Sequence, residues 1–443
     1  MNGPDHRDGP DRPDHRERTR TTPGRTDGTS ARTARVERTV DVLVVGAGPA
    51  GLALAARAAR AGAGRVEVLE REEEPGGVPR HVHHGGFGSP PLPWLTGPAY
   101  ARRSVAAALD AGAALRTGVT ATGWAGPLTL ETTSPSGLER ITARAVVLAT
   151  GARERPRSAR LVPGTRPAGV LTTGELHRSL HHPNLPRPVG RRVVLVGAEP
   201  VARHAARTLR RTGTQVVAML TEHARATALP GVPLLTGTTV TELHGRGRLS
   251  AVSVRHRDGR SGVIACDTVV FTGDWIPEHD LARRGGIPLA PATRGPAVDA
   301  AYRTHTPGVF AVGNALHGIE PAATAAAEGA AAAPPLLAHL SGTPWPTPGP
   351  PLLTGPPLAW TTPTHLTTPT PRGSLLLRTA IPLTAPTLRI HQDTRLLWHH
   401  RPWTHLTPTR SLHLPTPWTT RVDPEAGPVT LTVEGYTWSQ SGS

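Results

Sequence analysis

The chain has 443 residues, a formal net charge of +16 and a single cysteine, Cys266. That length allows two or three domains with cores of their own. One cysteine excludes an internal disulfide, a C-x-x-C redox pair and an iron–sulfur cluster held by four cysteines of this chain. Every basic side chain is arginine or histidine, scattered among abundant alanine, glycine and proline. This is the pattern of GC-rich coding rather than of a basic, aromatic-interleaved nucleic-acid surface, so no nucleic-acid partner is expected. No run of eighteen apolar residues marks a membrane span. The charged N-terminus lacks the apolar core of a secretory signal, so a cytoplasmic location is expected.

Residues 1–38 mix Arg, Asp, Gly, Pro and Thr with almost no apolar content. Such a segment buries too little surface to offset its ordering entropy, and a disordered tail is expected. The organised chain begins near Thr39. Val42–Val45 reads as a buried parallel strand. It is followed by Gly46, Gly48 and Gly51 in G-x-G-x-x-G spacing, and then by the helical run LALAARAARAG. Gly46 makes the tight turn, Gly48 admits close backbone approach to a pyrophosphate, and Gly51 lets helix pack against strand. Pro49 and Ala50 open the helix, whose free N–H groups and positive dipole end face the phosphates. A second strand, Arg65–Leu69, ends at Glu70, with Arg71 beside it. A carboxylate placed there accepts from ribose hydroxyls. Strand, glycines, helix, strand and acid in this order point to dinucleotide binding.

The segment REEEPGGVPRHVHHGGFG follows. Gly76 and Gly77 suit a turn with backbone close to a ligand. His81, His83 and His84 have no partner carboxylate at helical spacing, so a loop over a cofactor ring is expected rather than a metal site. A helix over 98–113 leads to a strand over 114–119, where the backbone of Val119 could meet adenine. A hairpin spans 128–142. The strand AVVLATG, residues 145–151, brings Thr150 and Gly151 to the strand end.

A second strand-turn-helix unit occupies 192–213, with its next strand at 215–220. Here Gly197 is in place, Glu199 stands at the second glycine position and Ala202 at the third. Alanine at the third position is tolerated. A carboxylate at the second blocks backbone approach and repels a pyrophosphate. The spacing therefore argues against a nicotinamide cofactor; if one binds, Glu222 favours NAD over its 2′-phosphorylated form. Residues 267–273 form a returning strand. TPGVFAVGNALHG then ends a strand at Gly313 and Asn314, ahead of an Ala-rich helix over 321–333.

Residues 341–373 are crowded with Pro and Thr and read as an extended connector, pinned by Trp345 and Trp360. Beyond it SLLLRTAIP, TLRIHQ, RLLWHH, RSLHLP and PVTLTVE are strand-like runs separated by turns. A β appendage stabilised by Trp398, Trp403, Trp418 and Trp438 is expected.

Together these residues resemble the two-dinucleotide-binding-domain flavoproteins of the glutathione-reductase structural class. The closer resemblance is to the flavoprotein subunits of opine oxidase and hydrogen cyanide synthase, and to part of the sarcosine oxidase alpha subunit. It is carried by GGVPRHVHH with Phe87 and Gly88, by ATGARERPR, by VPGTRPAGVLTTGELH, by VVLVGAE and by VFAVGN, and it covers about residues 39–335. Val82 stands where such proteins commonly carry cysteine. The cysteine-rich iron–sulfur domain that several append has no counterpart here, so an iron–sulfur relay would sit on another polypeptide. The resemblance implies FAD as cofactor, with the Thr150–Gly151 turn beside the flavin phosphates. It also implies that Asn314 lies at the ribityl chain and that the helix starting at Pro321 points at the flavin.

The expected fold is α/β: two nested Rossmann-like domains plus a small β-rich C-terminal appendage. The expected boundaries are tail 1–38, FAD-binding parts 39–155 and 267–340, second lobe 156–266, connector 341–373 and β domain 374–443. The activity implied by the resemblance is oxidation of a C–N bond in an amine, amino acid or opine-like substrate by hydride transfer to flavin, in a hetero-oligomer with other oxidase subunits. Arg80 is the expected anion contact, for a substrate carboxylate or the flavin diphosphate. His81 and His84 are expected to hydrogen-bond near the reacting ring. The rivals are an NAD(P)H-dependent flavin reductase or electron-transfer subunit, and a non-catalytic flavin-bearing scaffold.

Overall fold

The structure, a computed structural model, describes residues 36–88, 94–181, 189–318, 320–367 and 374–436. The expected tail as far as residue 35, residues 368–373 of the connector and Trp438 lie outside the described residues. The first sheet is built from β1 (Val36–Val45), β2 (Val66–Leu69), β3 (Ala114–Arg116), β4 (Thr120–Gly126), β5 (Thr129–Ser134) and β6 (Gly137–Leu148). Helices α1 (Pro49–Arg60) and α2 (Gly97–Asp110) lie between its strands in sequence. Its order is β3-β2-β1-β6-β5-β4, parallel from β3 to β6 and antiparallel beyond.

Two readings of this region change. Strand β1 starts at Val36, so residues 36–38 belong to the sheet rather than to the tail, pairing from Val36↔Glu139 to Val45↔Leu148. The expected hairpin arm and the buried strand after it are one strand, β6. Both were masked by polar residues that the sheet satisfies internally. Arg38 and Arg116 converge on the fully buried carboxylate of Glu67, at 2.8 and 3.1 Å. A buried charge is tolerated when it is paired in this way.

From β7 (Ala152–Glu154) the chain enters the second lobe through α3 (Arg157–Arg160), β8 (Val170–Thr172), α4 (Thr173–His181), β9 (Arg192–Val196), α5 (Pro200–Arg211), β10 (Gln215–Leu220) and β11 (Leu234–Leu235). An antiparallel layer of β12 (Thr238–Arg246), β13 (Arg248–His256) and β14 (Ser261–Ala265) precedes β15 (Thr268–Phe271). The lobe's parallel sheet runs β11-β10-β9-β15-β8. β16 (Trp275–Pro277) then returns antiparallel to β7, so the two crossings between lobes form a single ladder.

After α6 (Asp280–Arg284), β17 (Val309–Ala311) rejoins the first sheet on the C-terminal half of β6. α7 (Asn314–His317) and α8 (Ala322–Leu340) follow. α8 lies close against α1: a Cβ on Gly329 would stand 2.0 Å from the Ala50 carbonyl oxygen. The helix runs seven residues past its expected end at Ala333, through Pro334 and Pro335. Proline removes ladder bonds there, but Ala332, Ala333 and Leu336 are fully buried in the core with α1, and that packing carries the helix onward.

The segment expected as a connector is folded instead. It contains β18 (Pro348–Thr354), β19 (Leu358–Thr362) and β20 (His365–Thr367), which join β21 (Ser374–Thr379), β22 (Leu388–Gln392), β23 (Arg395–His400), β24 (Leu412–Pro415) and β25 (Val429–Val433). The sheets run β20-β18-β25-β22-β23 and β19-β21-β24. The prolines of β18 oppose β20, where pairing is irregular, and its leucines pair with β25. Leu352, Leu358 and Leu366 enter a core with Trp418. Trp360 is buried, and Trp345 donates to the Thr304 carbonyl at 3.2 Å. Trp403 is fully exposed and stabilises no core, contrary to expectation.

Candidate functional site

A cavity of about 1130 Å³ opens along the C-terminal ends of both parallel sheets. This is the place where open α/β folds bind ligands, and it exceeds the ~300–1000 Å³ of ordinary small-molecule pockets. Its first wall is the G-x-G-x-x-G turn. Gly46 has φ +111°, and a Cβ there would lie 2.4 Å from the Ala149 carbonyl oxygen. A Cβ on Gly51 would lie 2.0 Å from the Gly46 oxygen. Both positions therefore require glycine for internal packing. Gly48 differs: as N-cap of α1, with Pro49 and Ala50 following, it would place a Cβ in open space. That space is the cradle, bounded by backbone and the helix N-terminus, which a pyrophosphate fits.

Around the cradle the loop glycines are packed tightly. Gly76 donates to Ala47 O at 2.8 Å, and a Cβ on Gly77 would come within 2.9 Å of Gly48 Cα. Glu70 lies at the end of β2 and accepts from the Ala47 and Glu72 amides at 3.1 and 3.0 Å. Burial raises its pKa, opposed by the Ala47 amide, by the charge of Arg80 and by the charge and amide of Arg71. A carboxylate has about four acceptor positions, so these two bonds orient it and leave capacity for ribose. Val119 donates its amide to Glu70 O at 2.9 Å. Thr150 donates to Glu278 O at 2.6 Å, and Gly151 is left-handed with open space at its Cβ position. Gly313, also left-handed, abuts Ala50. Asn314 closes onto the next turn, its amide bonded both ways with the Glu320 backbone at 3.2 and 2.8 Å. Its side chain thus braces the entry to α8, a task the sequence reading did not include.

Arg80 is not an open anion site. Its guanidinium is ion-paired with Glu72, and its Nε donates to His81 Nε2 at 3.0 Å. Accepting through Nε2 fixes the neutral His81 tautomer with its proton on Nδ1. Burial first, then the charges of Arg80 and Arg178, hold His81 down to about 4. His84 stacks on His204 of α5 at 3.8 Å, joining the loop to the second lobe. Burial and His84 hold His204 down to about 4 as well.

The second turn carries a carboxylate, Glu199, at the position where the first has Gly48. The Glu199 carboxylate folds back so that a Cβ on Gly197 would meet its two oxygens at 2.7 and 2.9 Å. Among the described residues, its buried Oε1 has no hydrogen-bond partner. Sequence reasoning missed two wall residues, Glu320 and Arg378, the latter reaching in from the C-terminal domain. The available signal was an arginine inside the apolar strand run SLLLRT.

The family model described as pyridine nucleotide-disulphide oxidoreductase matches residues 40–329. No curated protein matches the chain. Among solved structures, T. acidophilum thioredoxin reductase is similar at 24% identity and TM-score 0.57, over 68% of this chain and 98% of that one. The Bacillus cereus bacillithiol disulfide reductase Bdr is similar at 18% and 0.56, over 68% and 99%. L-proline dehydrogenase from P. horikoshii is similar at 18% and 0.52, over 70% of this chain and 57% of that one. These identities speak for the fold alone. A glycine-lined cradle, a ribose-side carboxylate and a family match over well more than half the chain agree: the protein belongs to the pyridine nucleotide-disulphide oxidoreductase family and is an FAD-dependent oxidoreductase.

Proposed function

We propose that the protein oxidises a C–N bond of an amine, amino acid or opine-like substrate, working with other oxidase subunits as the resemblance to opine oxidase and hydrogen cyanide synthase subunits implies. The observation that carries this reading is the contrast between the two cradles. The space at Gly48 is open, while the equivalent turn holds its own carboxylate, Glu199. A nicotinamide donor has no phosphate seat there, and these residues contain one buried cysteine rather than a dithiol. The electrons then come from an organic donor in the cavity. The fold shared with L-proline dehydrogenase from P. horikoshii is compatible with that class of donor.

In this reading Gly46, Gly48, Pro49, Ala50 and Gly51 hold the pyrophosphate, and Glu70 takes the ribose, with Arg71 adding positive charge nearby. Gly76 and Gly77 bring the loop over the cofactor, and Val119 meets the adenine. Thr150, Gly151, Gly313 and Asn314 shape the turns at its other end. When bound, FAD supplies the two-electron acceptor. The chain orients the donor and excludes water. His81, neutral at pH 7, offers a hydrogen bond to the substrate without adding charge. His84, clamped against His204, closes the side toward the second lobe.

A second reading, an NAD(P)H-dependent flavin reductase, is favoured by one feature: the cavity continues along the second lobe past Thr221, Glu222 and Thr238. The test is to load the purified chain with FAD and offer amines, amino acids and opines anaerobically, identifying the carbonyl product and the ammonia or amine released when the imine hydrolyses. Stoichiometric product supports the proposal. Reduction by NADH alone supports the reductase. Reduction by nothing until a partner subunit is added would leave the chain a flavin-bearing scaffold.

A further inference from the structure

The C-terminal β domain lies beyond the family-matched residues, yet it supplies Arg378, Pro408 and Thr409 to the cavity wall. Arg378 sits on β21, whose residues 375–379 are all buried, and is itself only 7% exposed. Its Nη2 is ion-paired with Glu320, its Nε donates to Ser411 Oγ at 3.1 Å, and its guanidinium lies 5.2 Å from the centre of the Trp360 ring. Ser411 in turn donates to Glu320. Glu320 is 6% exposed and is fixed through its backbone to Asn314, directly before Pro321, the N-cap of α8.

Desolvating two charges is costly, and a well-packed apolar pair often serves stability as well or better. Fold stability alone therefore gives weak reason for this pair, whereas its place in the cavity wall gives a specific one. A guanidinium carries five N–H donors in a planar fork suited to carboxylate. The bonds described use Nε and Nη2, and the Nη1 donors remain for a ligand. Arg80, the arginine expected for this task, is committed through all three of its nitrogens, to Glu72, to His81 and to the Glu74 carbonyl.

We propose that Arg378 is the anchor for the carboxylate of an amino-acid-like substrate, and that Glu320 is a positioning residue holding the guanidinium at the wall. Naming the ligand a substrate rests on the C–N oxidation reading; the capture of a carboxylate does not. Glu320 competes for the same guanidinium, so the two residues act on a carboxylate ligand in opposite directions.

The experiment uses the full-length, FAD-loaded protein and two probes, benzoate and its uncharged analogue benzamide, titrated by the change in flavin absorbance. Arg378→Met should weaken benzoate by at least about tenfold (roughly 1.4 kcal/mol) and leave benzamide nearly unchanged. Glu320→Gln should tighten benzoate. Arg378→Lys, which keeps the charge but loses the fork, should fall between wild type and the methionine variant, and it keeps the test open if Arg378→Met does not fold. A clamp that only docks the C-terminal domain would make Arg378→Met and Glu320→Gln lose benzoate and benzamide in parallel, and that result would overturn the inference. So would a wild-type protein indifferent to benzoate. Opposed shifts in a protein that no amine reduces would remove the C–N oxidation reading while leaving the carboxylate anchor. An amine-reducible protein whose variants bind benzoate like wild type would remove the anchor alone.

Discussion

Replacing Glu199 by glycine restores the G-x-G spacing of the second cradle, and the structure sets the size of the effect. Glu199 is half-buried and makes no capping bond to α5, and glycine is itself a good N-cap. Folding should therefore change by no more than about 0.5 kcal/mol. A carboxylate about 4 Å from a phosphate charge costs about 4 kcal/mol at an effective dielectric near 20. Removing it should tighten NADH binding by roughly 10²–10³-fold. The assay is NADH titration of the FAD-loaded wild type and of Glu199→Gly under anaerobic conditions, followed by nicotinamide fluorescence and flavin bleaching. Equal affinities would refute the electrostatic reasoning, as would micromolar NADH binding by the wild type.

Gly48→Val should leave the melting temperature of the cofactor-free protein within about 3 °C, because its Cβ meets nothing. It should weaken FAD by at least about 100-fold through lost phosphate hydrogen bonds worth roughly 1.5–3 kcal/mol each; fluorescence titration decides, and unaltered FAD affinity would contradict the cradle. Cys266 is buried, and burial together with Asp267 pushes its thiol up to about 11, so a disulfide reagent at pH 8 should label it only after unfolding. His365 is held down to about 4 by burial, then by His305 and Arg303. Between about 6.5 and 4 the unfolded chain therefore binds more protons than the folded one. Stability contributed by the neutral ring is present above that window and lost as pH falls through it. His365→Asn should reduce the drop in urea midpoint between pH 7 and pH 4; an identical drop would remove this residue from the acid response.

What could be read from the sequence was whatever backbone geometry forces on residue type. Gly46 and Gly51 abut carbonyl oxygens, so their spacing shows in the letters, and the acid at Glu70 follows from the strand that ends there. Hidden were the features satisfied by distant partners. The polar start of β1 makes sense only once Arg38 meets Glu67 across the sheet. The Pro- and Thr-rich segment reads as a connector until Leu352 and Leu366 find a core with Trp418. Arg80 was visible beside the right loop, but its commitment to Glu72 depends on a fold-back that spacing does not encode. Arg378 lies 58 residues from Glu320 in sequence and enters the cavity from a domain outside the family match.

The most direct test of the contrast between Gly48 in the first turn and Glu199 in the second is a stopped-flow comparison on one preparation. FAD-loaded wild-type protein is mixed anaerobically with NADH, and separately with members of an amino-acid and opine panel, while flavin absorbance is followed. The predicted result is bleaching by at least one amine donor within seconds and none by NADH over the same interval. Rapid bleaching by NADH, with every amine inert, would contradict the assignment and show that Glu199 does not keep a nicotinamide cofactor out.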